Sequence, residues 1–244
     1  MHHFDHAKPQ GSNPIMYEYQ FDRDKCWYVE SCDKYNTPSC NAGCIRFMEM
    51  HFLMNNSGIP KNKQYGMTLI PSKADFEAFV RLRDIKEDIV NFVANGESLY
   101  IHSRNFGNGK TSWGIKLLHN YFNEVWAGNG FRCRGIFINV PTFLTKIKEG
   151  IRNQDEEFEL LKSRLMEVDL VVWDDIAATK LSDFDHTNLL TYIDQRNLSG
   201  LANIYTGNLS GEPLREALGN RLMSRVWNES TTIEFVGTDR RGLR

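Results

Sequence analysis

The segment from Ser98 to Trp126 constrains this chain more than any other. A short apolar run, Ser98-Leu99-Tyr100-Ile101-His102, reads as a strand. A turn containing Gly107 and Gly109 follows. A helix-periodic stretch then begins at Lys110 and closes near Gly128 and Gly130. Strand, glycine turn and helix in that order commit the chain to a parallel crossover and so to an α/β layered fold. The turn reads Asn105-Phe106-Gly107-Asn108-Gly109-Lys110-Thr111-Ser112. Glycines there let backbone N–H groups turn toward an anion, and the helix N-terminus adds its positive dipole. Gly109-Lys110-Thr111 matches the end of the phosphate-loop pattern, in which the lysine reaches the β and γ phosphates and the hydroxyl holds Mg²⁺. Arg104 stands where the pattern has its first glycine, which raises the question of what backbone geometry that position needs.

The rest of the chain supports the same architecture. Gly135–Asn139, 168–173, 202–206 and 231–236 read as strands, and 110–126, 141–149, 188–197 and 214–227 read as helices. Residues 74–95 read as one further helix, with Gly96 as its stop. The predicted fold is a three-layer sandwich around a parallel sheet.

The apolar run Leu170-Val171-Val172-Trp173 ends in Asp174-Asp175. A buried strand ending in two carboxylates delivers them to the carboxyl edge of the sheet, where open α/β folds bind ligands. Asp174 is the expected Mg²⁺ ligand together with Thr111. Asp175 is expected to orient or deprotonate an attacking water. An aspartate is shorter than a glutamate at that second position, which predicts slow turnover.

Four of the five cysteines, Cys26, Cys32, Cys40 and Cys44, fall within one short stretch; Cys133 lies apart. Four thiolates suit tetrahedral Zn²⁺, and a segment this short has little core of its own. The spacing is not that of paired Cys-x-x-Cys knuckles, so free thiols and disulfides stay open beside zinc. His51 is a possible substitute ligand. The composition divides the chain into a loose stretch 1–20, the cysteine segment 21–56, a Gly/Pro/Lys-rich linker 57–72 and the α/β domain 73–244.

The formal net charge of −2 gives no global basic field, so any nucleic-acid contact rests on a local patch. Lys116, Arg132, Arg134, Lys146 and Lys148 form a thin basic scatter around Phe131, Phe137 and Phe143. The spacing of Phe137 and Phe143 also suits a core. No apolar run is long enough to span a membrane and no signal peptide is recognisable, so a cytoplasmic location is expected.

Across about three-fifths of the chain these segments, in order, resemble the ATPase domain of helicase loaders of the DnaC/DnaI type, AAA+ proteins related to the transposition ATPase IstB. The matching residues are Phe106 to Thr111, Phe137 to Pro141, Val172 to Ile176, Tyr205-Thr206-Gly207-Asn208-Leu209, Leu218 to Arg225 and Asp239-Arg240-Arg241-Gly242. Ser57-Gly58-Ile59-Pro60 resembles the linker that precedes this domain. The resemblance implies an ATPase that assembles into a homo-oligomer on binding ATP. It implies Asn208 as sensor 1, Arg225 or Arg221 as an arginine finger reaching ATP on a neighbouring subunit, and Arg241, or Arg240 beside it, as sensor 2. It also implies a zinc-binding N-terminal module that grips a replicative DnaB-family helicase, with single-stranded DNA in the centre of the oligomer, in a phage or bacterial replication system. An IstB-like transposition ATPase and a non-hydrolysing helicase-binding adaptor are the competing expectations.

Overall fold

A computed structural model describes residues 21–65, 69–70, 72–153, 156–178 and 180–238. Its centre is a parallel sheet of β1 (Ser98–His102), β2 (Gly135–Asn139), β3 (Leu170–Asp174), β4 (Ala202–Gly207) and β5 (Thr231–Glu234). The spatial order is β2-β3-β4-β1-β5. β4 is therefore central, between β3 and β1, and β1 lies between β4 and the edge strand β5.

Alternation along the strands sorts the core into two layers. Leu99, Ile101, Leu170, Val172, Ala202, Ile204 and Ile233 face one side. There they pack with α4 (Lys110–Val125), α2 (Phe76–Glu87) and α3 (Ile89–Ala94). Tyr100, Ile136, Ile138, Val171, Trp173 and Tyr205 face the other, against α5 (Val140–Asn153), α6 (Glu156–Glu167), α7 (Asp183–Leu198) and α8 (Gly211–Met223). The expected three-layer α/β sandwich is the one observed.

Local chemistry sets several boundaries. The helix expected over 74–95 breaks at Asp88, whose backbone leaves the helical region (φ −109°, ψ 26°) and whose carboxylate accepts from Asn91 Nδ2 at 2.6 Å. α7 starts five residues earlier than expected because Ser182 and Asp185 form a reciprocal capping box. α8 is kinked at Gly219 (φ +70°) and passes into a π-helical turn over Ser224–Asn228. The strand expected over 231–236 runs as β5 to Glu234, with one further bond from the Phe235 N–H to His102 O at 2.8 Å. α6 had no counterpart in the sequence reading, and neither did α1 (Ile45–Asn56).

The segment before the sheet packs onto it. Met50, Leu53 and Met54 of α1, with Tyr28 and Ile59, share the core beneath α4. The Tyr28 hydroxyl donates to Asn123 Oδ1 at 3.0 Å. Ser57 is fully buried, and its carbonyl accepts from the Phe137 N–H at 2.6 Å on the outer edge of β2. Around Phe47 the segment gathers Phe21, Trp27 and His51, with Tyr65 stacked on Trp27. The core that this segment was expected to lack is thus supplied by aromatic packing and by α4.

Candidate nucleotide site

The loop after β1 is shaped by two glycines in left-handed backbone, Gly107 (φ +69°) and Gly109 (φ +104°). Arg104 is not among the positive-φ residues, so its position demands no glycine. Gly109 begins α4 without any side-chain cap, which leaves the first-turn N–H groups of that helix to the cleft. Lys110, 7% exposed, folds back over the loop, and Nζ donates to Asn105 O at 2.9 Å and to Asn108 Oδ1 at 3.2 Å. Those two oxygens stand in for the phosphate oxygens that such a lysine would meet.

Across β4, Asp174 ends β3 and is buried, its Oδ1 accepting from the Thr206 hydroxyl at 2.6 Å. The same Thr206 oxygen accepts from the Asp175 N–H at 3.1 Å. One threonine therefore sets both carboxyl-bearing residues. Asp175 is left-handed (φ +58°), a conformation aspartate tolerates better than most residues. Its backbone lies in the turn that leaves the sheet. On β4, a Cβ at Gly207 would come within 2.4 Å of the Tyr100 hydroxyl. The bare glycine lets that hydroxyl donate to Leu209 O at 2.7 Å, which fixes the turn bearing Asn208.

These pieces surround one cleft of about 1050 Å³. Its wall includes Phe106 to Ser112, Asp175, Asn208 and Leu209, and from α8 Pro213, Glu216 and Ala217. The loop and the second carboxylate thus meet where the sequence placed them, as does Asn208. Asn105 and Asp174 do not line the wall: Asn105 supports the loop from behind, and Asp174 sits beneath Thr206. Lys63 and Lys180 also line the cleft and were not anticipated. Lys180 follows the carboxylate turn, and Lys63 lies on a short 3-10 turn (Lys61–Lys63) in a stretch that reads as linker. No local pattern brings a residue 47 positions upstream to Lys110; the packing of 57–65 does. His102, at the end of β1, has its pKa lowered by burial, with the Lys110 charge acting the same way and Glu234 opposing it.

The two arginines differ. Arg225 lies in the π turn, its guanidinium paired with Asp194 and Glu229 and its side chain 37% exposed. Arg221 lies exposed in the last turn of α8. The passage from α to π winding between them alters the simple i, i+4 alignment expected of one helix. Arg240 and Arg241 lie outside the described residues.

Cys26, Cys32, Cys40, Cys44 and Cys133 are all free thiols, each partly buried. Burial pushes the Cys26 thiol up, and the charges of Cys44, Cys40 and Cys32 act on it in the same direction, so the four gather in one region. Among the described residues, however, no group of three or more His, Cys, Asp or Glu side chains stands ready to hold a metal ion. The donor chemistry suits zinc; the arrangement does not close around it.

Of the basic scatter, Lys148 is paired with Asp185 at 2.9 Å. Arg132 and Arg134 both pair with Asp169. Phe137 and Phe143 are buried, so both are core residues, while Phe131 is exposed. Lys146 lines a second cavity of about 400 Å³ between the end of α1, β2, α5 and α6. Among the described residues no helix is long and apolar enough to cross a membrane.

Neither a protein-family model nor a curated protein matches the chain. Solved structures do. The chain is similar to the DnaC helicase loader at a TM-score of 0.57 and 17% identity, over 72% of this chain and 99% of that one. It is similar to DnaI at 0.52 and 17%, over 74% and 92%. It also resembles the replication initiator DnaA bound to AMPPCP and single-stranded DNA, at 0.56 and 15%, over 69% and 48%. The chain shares the fold of the DnaC helicase loader and of DnaI. At these identities the likeness fixes the fold and leaves activity to the residues of the cleft.

Proposed function

We propose that this protein is an ATP-driven loader of a replicative DnaB-family helicase. The observation that carries the nucleotide reading is the cleft itself. In it an ammonium satisfied by its own loop's oxygens, an uncapped helix N-terminus, a carboxylate and a polar strand-end residue share one wall. Lys110 and the loop amides from Asn105 to Ser112 bind the triphosphate. Thr111, with Asp174 once released from Thr206, would hold Mg²⁺, which would neutralise charge on the phosphate oxygens. Asp175 orients the lytic water, and Asn208 reads the terminal phosphate. Arg225, with Arg221 beside it, reaches the nucleotide of a neighbouring subunit, so that ATP joins copies of the chain; Arg241 acts within its own subunit as sensor 2. Four thiolates from Cys26, Cys32, Cys40 and Cys44 would take zinc once drawn together, a reading supported by their donor chemistry. Residues 21–56 would serve as the helicase-gripping module, 57–72 as its connection and 73–244 as the ATPase, with single-stranded DNA received by the assembled ring.

The test is the mass of the protein in solution with and without ATP, with and without a DnaB-type helicase, together with metal analysis. ATP-dependent assembly and a stoichiometric helicase complex are expected, with one zinc per chain. A monomer under every condition, or a complex with transposase in place of helicase, refutes the loader. A second reading, a helicase-binding adaptor that does not turn over ATP, draws on one observation: the Asp174 carboxylate is engaged by Thr206 and lies off the cleft wall. Helicase binding with no ATP hydrolysis by either wild type or Lys110→Ala would select it.

A further inference from the structure

Asp75 precedes α2, at the position where an aspartate ordinarily accepts from the N–H groups of its own helix. It makes no such bond. Its carboxylate, 4% exposed, turns instead to the end of β5. There Oδ1 accepts from the N–H groups of Val236 and Gly237, each at 2.8 Å, and Oδ2 accepts from the Ser72 hydroxyl at 2.7 Å. The approach is close: a Cβ on Gly237 would come within 2.2 Å of Oδ2 and 2.9 Å of Ser72 Oγ.

The carbonyls of the same two residues face the phosphate loop. Asn105 Nδ2 donates to Val236 O at 3.0 Å and to Gly237 O at 3.1 Å. Asn108 Nδ2 donates to Ser103 Oγ at 2.6 Å and to Gly237 O at 3.4 Å. Asn105 and Asn108 are in turn the residues whose oxygens hold Lys110 Nζ. An unbroken run of hydrogen bonds thus leads from Asp75, through two peptide groups, to the lysine. Asp75 does not line the cleft. It acts through others.

We propose that Asp75 is a positioning residue for nucleotide binding. By fixing the main chain at Val236 and Gly237 it hangs Asn105 and Asn108 in place. That in turn holds the loop in the shape from which Lys110 swings off its own loop's oxygens and onto phosphate. The inference rests on the nucleotide reading above. It makes a distinction that a merely structural staple does not: binding should follow the acceptor geometry at position 75 and not the stability of α2.

The test measures affinity of the full chain for a fluorescent ATP analogue, alongside thermal midpoints, in wild type, Asp75→Ala, Asp75→Asn, Gly237→Ala and Leu82→Ala. Asn keeps Oδ1 for both N–H groups and can donate to Ser72 Oγ, so it should bind within about threefold of wild type. Asp75→Ala leaves two N–H groups without their acceptor, and Gly237→Ala forces the carboxylate away. Each should weaken binding by about tenfold or more, the scale of a lost hydrogen bond to a charged group. Leu82→Ala, in the fully buried core of the same helix, should lower the melting temperature and leave affinity unchanged. If Asp75→Ala fails to fold, Gly237→Ala and Asp75→Asn decide. Wild-type affinity in Asp75→Ala or Gly237→Ala, or equal losses in the Asn and Ala variants, overturns the inference. Failure of wild type to bind the analogue at all removes the nucleotide reading, and this one with it.

Discussion

Replacing Lys110 by alanine tests the cleft most directly. Without nucleotide, Nζ has two short contacts to its own loop, Asn105 O and Asn108 Oδ1. The variant loses them but also loses a largely buried ammonium, so the empty protein should melt near the wild-type temperature. With nucleotide, the variant lacks a charged donor to phosphate. Hydrogen bonds to charged groups are worth about 1.5–3 kcal/mol, so affinity should fall by roughly 10- to 100-fold. Ligand linkage turns this into a melting shift. At an ATP concentration about 100 times the dissociation constant, wild type gains about 2.7 kcal/mol. At about 2–4 °C per kcal/mol for a domain of this size, that is a rise of about 5–10 °C. If affinity falls about 30-fold, the same concentration stabilises the variant by about 0.9 kcal/mol, or about 2–3 °C. Thermal unfolding of both proteins across an ATP–Mg²⁺ titration reads both values. Equal shifts in the two proteins would refute the placement of phosphate at Lys110, and so would a variant that melts far below wild type without ATP.

Three further outcomes follow from the same geometry. Gly114→Ala should destabilise by about 1–3 kcal/mol, because a Cβ there comes within 2.9 Å of Val172 Cγ1 in the packed layer between α4 and the sheet; denaturant melts would show it. Burial, helped by Lys116, lowers the His119 pKa to about 4, so the unfolded chain takes up a proton near pH 6.5 that the folded chain refuses until about pH 4. Stability therefore falls as pH drops through that window, by up to about 3 kcal/mol, and His119→Gln should flatten the wild-type curve between those limits. Arg225→Ala should abolish ATP-dependent assembly while leaving nucleotide affinity of the isolated chain within about threefold. Sedimentation and analogue binding, run in parallel with Arg221→Ala, show which arginine assembly needs.

The parts of this molecule that could be read from the sequence are those whose chemistry is local. Ser98–His102 and Gly135–Asn139 are strands with the expected bounds because an apolar run between turn residues has few other uses. The glycine turn announced its backbone because left-handed φ at positions 107 and 109 suits little else. Where a residue's environment is set by distant chain, the pattern was silent or misleading. Ile85, Ile89 and Phe92 keep helical spacing across Asp88 because α2 and α3 bury into one core, so a change of direction left no trace in the periodicity. Residues 45–56 follow directly on the cysteines and read with them as a metal module, whereas Met50, Leu53 and Met54 form the stripe that buries α1 under α4. Lys63 reaches the cleft wall, and Thr206 and Asp75 bond residues tens of positions away, none of which a local pattern reveals.

The arginines show where a single chain stops being informative, and why. Arg225 is satisfied within its own subunit by Asp194 and Glu229, an arrangement that counts against its reaching a neighbour's nucleotide. The energies argue otherwise. Those pairs are solvent-accessible, with the Asp194 and Glu229 side chains 26% and 39% exposed, and such pairs contribute about 0–1 kcal/mol each. A guanidinium contact to a triphosphate in an interface from which water is excluded is worth more, about 1.5–3 kcal/mol, and under the proposed function a neighbouring subunit would supply it only when ATP is present. Under the proposed trans role, the cis pairs would serve as a resting place for the guanidinium, and leaving it would cost less than arrival returns. Asp194→Asn should loosen that hold and leave assembly intact or strengthened. If it instead abolished assembly as Arg225→Ala is expected to, Arg225 would be a structural brace between α7 and the π turn, and the contact across subunits would fall to Arg221.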